Sequence, residues 1–298
     1  MSKQRTSFAL LDPGHVFDGL FVPTQGRSRG RLLVSPRRFG RLEIGFQGYE
    51  QLGADDQSFL LALTAQLGIE KRVIEASPAG QIGAELRRSL DLNLDEVRPV
   101  ATKAVSLRSL LVDAGYHPSS STNRAWESLN RLRATQIREI DRETGWDRVC
   151  NLVSVSINRT ERQIYVAANP RLTAALFGAQ YVPVSLLERN LLETDVGKIL
   201  HCWLSSNIRP GQSLGNGNGA HLETLGARVW GPTWSGSSRQ QRGKRRGLIR
   251  DALAELAQKT NESSSQAGWQ IDLSHSEIMM ISRPRAIART VDKYSPNR

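Results

Sequence analysis

Residues 237–258 read SSRQQRGKRRGLIRDALAELAQ, and the two halves of this stretch obey different rules. In the second half Ile249, Ala252, Leu253 and Leu256 recur at helical spacing, as on a helix packed against a core. In the first half no large apolar residue precedes Leu248, so that part is predicted to project from the core. It carries Arg239, Arg242, Lys244, Arg245 and Arg246, with Arg250 just beyond, and no acid occurs between Glu223 and Asp251. Ser237 or Ser238 is placed to cap the helix. Basic residues at a helix N-terminus oppose the macrodipole, so helix stability does not account for them, whereas an external anion does. Arginine offers a planar fork that pairs bidentately with guanine or phosphate, and lysine a compact charge. Gly243 and Gly247 each cost a helix about 1 kcal/mol relative to alanine, and their missing side chains suit close approach to a sugar-phosphate backbone. A basic run by itself is an ordinary solvated surface; its setting decides the reading.

That setting is a helix-turn before it and a hairpin after it. Upstream, Leu222, Leu225 and Val229 predict a short helix, followed by a turn at Gly231, Pro232 and Gly236. Downstream, residues 268–273 and 277–283 predict a hairpin with Ser274, His275 and Ser276 at its tip. Further upstream, Thr194 caps a helix with Val196, Ile199, Leu200, Trp203 and Leu204 on one face, and a loop rich in Gly and Asn follows at 211–219.

The first half of the chain repeats this order. Asp55 and Asp56 open a helix bearing Phe59, Leu60, Leu63 and Leu67. Ser106 caps a short helix, Gly115 and Pro118 make a turn, and Ser121 or Thr122 caps a second helix. In that second helix Ala125, Trp126, Leu129 and Leu132 face inward, and Asn123, Arg124, Glu127, Asn130 and Arg131 form the outer face, a second candidate DNA-binding surface. Residues 136–141 and 149–157 then predict a hairpin with a charged tip at 142–148. An additional N-terminal hairpin, with Leu42, Ile44 and Phe46 alternating, precedes the unit, and a strand at 164–168 with a helix capped by Asn169 and Pro170 bridges to the second. The expected fold is α+β, mainly helical: two tandem winged-helix domains related by a pseudo-repeat, at 1–160 and 161–285, with a polar, mobile tail at 286–298.

Composition narrows the function classes. The 298 residues hold 40 Lys plus Arg against 29 Asp plus Glu, a net charge of +11 that favours polyanionic partners. Two cysteines, Cys150 and Cys202, are too few for a disulfide framework or a structural zinc site and fit a reducing cytosol. The five histidines are dispersed without metal-ligand spacing, and the Gly215, Gly217, Gly219 series lacks the preceding strand of a nucleotide loop, so neither metal nor cofactor is expected and enzymatic readings find little support. Residues 1–8 do not read as a signal peptide, and no apolar run reaches membrane-spanning length, which points to no membrane association and a cytoplasmic setting. Trp126, Trp203 and Trp230 lie on apolar stripes and are expected in the core, whereas Trp234, in a Gly-flanked turn, is open to contact with DNA or a partner.

Several of these stretches carry a resemblance. Gly19-Leu20-Phe21, Leu52 to Asp56, Tyr165-Val166-Ala167 with Asn169 and Pro170, Glu193-Thr194 with Leu200-His201, and Leu225 with Val229-Trp230 match in order and spacing. The match is strongest over Lys244, Arg245, Arg246, Arg250, Ala252, Leu253, Glu255 and Leu256. On these residues, from about His15 to Arg285, the chain resembles the RepC replication initiators of IncQ-type plasmids and, more distantly, iteron-binding initiators with paired winged helices. The resemblance implies binding to direct repeats of double-stranded DNA at a plasmid origin, opening of adjacent AT-rich duplex, recruitment of a plasmid helicase and primase, pairing of copies through the N-terminal unit, and no covalent chemistry. Two alternatives stay open: a transcriptional repressor using the same helices, and a nicking enzyme, which would need a tyrosine beside a histidine-rich metal cluster.

Overall fold

Two sets of helices and strands, joined through a shared helix, make up the described part of the chain. The computed structural model describes residues 7–24, 29–70, 72–77, 80–92, 96–158, 163–263, 268–275, 277–283 and 285. The first set begins with β1 (Phe8–Leu11), β2 (Leu32–Phe39), β3 (Leu42–Gly48), α1 (Ala54–Glu70), β4 (Val73–Ile74), α2 (Gln81–Ser89) and β5 (Val100–Val105). It continues with α3 (Leu107–Asp113), α4 (Thr122–Arg133), β6 (Gln136–Asp141), β7 (Trp146–Asn151), β8 (Val153–Asn158) and β9 (Gln163–Ala168). A bridge of α5 (Pro170–Leu176), β10 (Val182–Ser185) and α6 (Leu186–Leu191) leads to α7 (Asp195–Asn207). Then come β11 (Ala220–His221), α8 (Leu222–Trp230), α9 (Pro232–Ser235), α10 (Arg239–Ser263), β12 (Gln270–Asp272) and β13 (Ile278–Ser282). The chain is therefore α+β, as its patterning predicts. The expected tail at 286–298 and Ser276 at the hairpin tip lie outside the described residues.

The helix starts follow the side chains that cap them. Ser106 accepts from the Ser109 N–H at 3.1 Å, Asn169 from Leu172 at 2.8 Å and Thr194 from Gly197 at 3.1 Å. Helix α1 is buried nearly all round, from Ala54 to Leu67, as befits a helix at the centre of a core rather than on its surface.

Strand pairing is antiparallel throughout the four sheets among the described residues. One sheet has the order β4-β5-β9-β8 and another β11-β13-β12. With β4, α2, β6, β7 and α9 set aside, the sets α1, β5, α3, α4, β8, β9 and α7, β11, α8, α10, β12, β13 share one element order, and in each the last strand lies between the other two. A third sheet, β2-β3-β6-β7, joins two hairpins through β3 and β6, and β1 pairs with β10.

The hairpin expected from 136–141 and 149–157 forms differently. The run 149–157 is broken at Leu152, which is fully buried and donates its N–H to the Thr135 carbonyl at 2.8 Å. Before the break β7 pairs with β6 in the sheet of the N-terminal hairpin; after it β8 pairs with β9. Burial of one apolar residue between two strands moves the chain from one sheet to the other, and the β8–β9 hairpin straddles the division drawn after residue 160.

The core has two principal parts. One holds α1, α3, α4 and their sheets and extends to Ile199 and Cys202 of α7; the other holds Leu200 and Leu204 of α7 with α8, α10 and β13. Helix α7 therefore belongs to both.

Candidate nucleic-acid interface

Helix α10 divides as its sequence does. Ile249, Ala252, Leu253 and Leu256 are at most 1% exposed and pack among α7 and α8. The front of the helix emerges from this contact. Ser238 and Gln241 form a reciprocal capping box, the Ser238 hydroxyl accepting from the Gln241 N–H at 3.2 Å and the Gln241 side chain from the Ser238 N–H at 3.1 Å. Ser237 is instead buried, donating its hydroxyl to the Thr233 carbonyl at 2.6 Å.

The six basic residues from Arg239 to Arg250 differ in what they touch. Arg239 and Lys244 are exposed and Arg242 half-buried, and among the described residues none of the three side chains makes a hydrogen bond or ion pair. Arg245 turns inward, donating to the Thr233 carbonyl at 3.0 Å and the Ser237 hydroxyl and lying 5.1 Å over the Trp230 ring. Arg246 is held by Glu223 of α8, and Glu277 lies 3.8 Å away. That contact holds the Glu223 carboxyl below the ordinary carboxylate range, with help from Trp234 and the charge of Arg242. Arg250 reaches the His275 carbonyl at 3.4 Å. The acid-free interval ahead of Asp251 begins just after Glu223, and the position of Glu223 on α8 brings it back against α10. The outer line of the helix is left to Gly243 and Gly247, where an added Cβ would meet nothing within 4 Å.

The turn that launches α10 is rigid. Trp230 and Trp234 stack at 5.7 Å, and the Trp234 indole N–H donates to Glu223 at 2.9 Å. Trp234 is 5% exposed, so the expectation that it was open to DNA is corrected: its ring fills the space above Gly226, where a Cβ would lie 2.5 Å from ring carbons.

On α4, Asn123, Arg124, Glu127 and Asn130 are exposed, and Arg124 lies 5.0 Å over the Tyr116 ring. Burial is the main reason that ring's hydroxyl pKa is pushed up to about 12. Arg131 is different. It donates to Asp56 of α1 at 2.9 Å and to Ser128 at 3.2 Å, and its side chain is only 13% exposed. The helical spacing that puts it with Asn123 and Arg124 gave no sign of Asp56, 75 residues earlier. Tyr49, Glu50, Glu127, Asn130 and Arg131 line a shallow groove beside this helix, which sets two carboxylates next to its outer face. Among the described residues no group of three or more His, Cys, Asp or Glu is placed to hold a metal ion, and no helix is long and apolar enough to cross a membrane. His201 is fully buried against Glu188 at 2.9 Å.

Comparison with known proteins gives a family match over most of the chain. The family model "Replication protein C (RepC)" matches residues 3–285. No curated protein matches the chain. Among solved structures, the chain is similar to the selenomethionine derivatives of domain 2 and domain 3 of RctB, with a TM-score of 0.45 and 10% identity over 91% of this chain and 97% of that one. A family match that runs almost from end to end leaves one conclusion: this chain belongs to the replication protein C (RepC) family of replication initiators.

Proposed function

We propose that this RepC-family protein binds double-stranded direct repeats at a plasmid origin through two winged-helix units, with the front of α10 as its principal DNA contact. The carrying observation is that Arg239, Arg242 and Lys244 stand on the front of a helix with no carboxylate of the described residues bonded to them. Two features support the reading. In each unit the last strand, β9 or β13, lies between two earlier strands and two helices precede the closing hairpin, which supports the winged-helix reading. The net charge of +11 supplies attraction for a polyanion. In this reading α10 enters a major groove, Gly243 and Gly247 let its backbone approach the DNA closely, and Arg124 and Asn123 of α4 make a second, weaker contact. The protein acts without covalent chemistry, opens adjacent AT-rich duplex and hands it to a plasmid helicase and primase.

Selection of bound duplex from a random pool, followed by footprinting and a salt titration, tests the core of this. With about six to ten phosphates neutralised, affinity falls on the order of 10³ to 10⁵ between 50 and 200 mM salt. A flat salt response on the selected repeat sinks the proposal. A single-strand-specific chemical probe on supercoiled origin DNA tests the opening step; repeat binding without reactive bases would leave a repressor.

A further inference from the structure

We infer that α4 and α10 are locked at one fixed phase by a relay of polar contacts in which Arg189 is the positioning residue, so that the protein reads a composite DNA site whose two halves must keep one spacing. This rests on the DNA-binding reading above and adds to it a rule of specificity.

The relay begins at Arg131, which ties α4 to the fully buried carboxylate of Asp56 at 2.9 Å. Asp56 lies in the first turn of α1, and in that same turn the Ala54 carbonyl and the Ser58 hydroxyl each take a hydrogen bond from Arg189 at 3.1 Å. The other arm of the Arg189 guanidinium donates to the Lys198 carbonyl on α7. At the N-terminus of α7, the Glu255 carboxylate of α10 accepts from the Glu193 N–H and, at 2.6 Å, from the Thr194 hydroxyl. Helix α4 is thereby connected through α1 and α7 to α10 by hydrogen bonds at every junction.

Arg189 is an unusual choice for a purely structural role. It is 1% exposed, among the described residues no carboxylate is bonded to it, and burial lowers its pKa to about 10. A buried cation is costly to desolvate, and no ion pair with a described residue offsets that cost. What the guanidinium provides is a rigid planar fork that fixes three acceptors on two helices at once. Two further features oppose rotation of the units. Helix α7 contributes Ile199 and Cys202 to one core and Leu200 and Leu204 to the other. Asp18 accepts from Arg37 of β2 at 3.0 Å and from Arg228 of α8, and beside it Gly19 lies so close to Gly231 that a Cβ on Gly231 would be 2.5 Å from the Gly19 Cα. Turning one unit against the other would leave buried donors and acceptors unmatched.

The test is a spacing series on the full-length protein. Footprinting of the selected duplex defines the two protected segments, and one or two base pairs are then inserted between them, each rotating one half by about 34–36°. The wild type is expected to bind about tenfold or more weakly on the two-pair insertion, the scale of one mismatched base pair. Arg189→Met, similar in length but without donors, is expected to bind each separate half as the wild type does and to show a penalty of only a few-fold. Should Arg189→Met fail to fold, Arg131→Gln probes the other end of the relay through the ratio of its affinities for the interrupted and uninterrupted sites. Wild-type binding indifferent to spacing, or an Arg189→Met protein with the full penalty, overturns the lock while leaving DNA binding intact. Absence of sequence-selective binding by the wild type overturns both.

Discussion

Among the arginines of α10, identical side chains a few residues apart do different work. Arg245 and Arg246 stand at the centre of the basic run in the sequence, yet Arg245 stacks on Trp230 and Arg246 meets Glu223. Arg239 and Lys244 are left exposed and Arg242 half-buried, without a bonded carboxylate among the described residues. Replacing any of these three by alanine should weaken DNA binding and lower the magnitude of the salt slope by about 0.9 for each phosphate that is no longer neutralised, read from affinities at several salt concentrations. Glu223→Gln should act the other way: it releases Arg246 and removes a negative charge beneath the helix, while its amide oxygen can still accept from Trp234. Affinity is expected to rise by up to about fivefold, the scale of an exposed ion pair, and an unchanged Kd would show that Arg246 never faces DNA.

At the scale of the element, the glycines of α10 separate folding from function. No neighbour requires Gly243 or Gly247, so alanine at either position should stabilise the protein by about 1 kcal/mol, visible as a higher Tm or urea midpoint. The same substitutions should weaken DNA binding, because a methyl group would stand where the phosphate backbone approaches. A variant that gains stability and keeps full affinity would remove the close-approach role. Gly226→Ala is the contrasting case: its Cβ would collide with Trp234, and overpacking of this kind costs about 1–3 kcal/mol. The periodicities of α4, α7 and the second half of α10 were plain in the sequence because each has an apolar stripe, and their caps, Ser121, Thr194 and Ser238, were legible as Ser or Thr. The step at Leu152 was not legible, since alternating residues on either side of it look alike whichever sheet they join.

For the molecule as a whole, acid stability follows from the buried pair His201 and Glu188. Burial holds the His201 imidazole below its ordinary pKa of 6.5, outweighing its bond to Glu188. The unfolded chain therefore takes up a proton as pH falls below 6.5 while the folded one resists, and stability declines from that point downward. For Glu188 burial alone would raise the pKa, but His201, Trp269 and Arg283 together lower it below 4.5, so its contribution is present above that value and is lost as pH drops further. Urea midpoints measured from pH 8 to pH 5.5 should fall, and His201→Gln should remove most of the slope; an unaltered slope in that variant would place the titrating group elsewhere.

The α+β character, the order of the helices and the basic front of α10 are properties of the sequence itself, because hydrophobic period, capping residues and an acid-free cluster of cations act locally. The destinations of individual charges were decided only by the tertiary structure. Asp56 and Arg131 are 75 residues apart, Glu223 and Arg246 are 23 apart, and Arg189 meets α1 across more than 130 residues. An ion pair depends on distance in space, and until α7 is shared between two cores no local pattern says which arginine will find a carboxylate, which a carbonyl, and which only solvent.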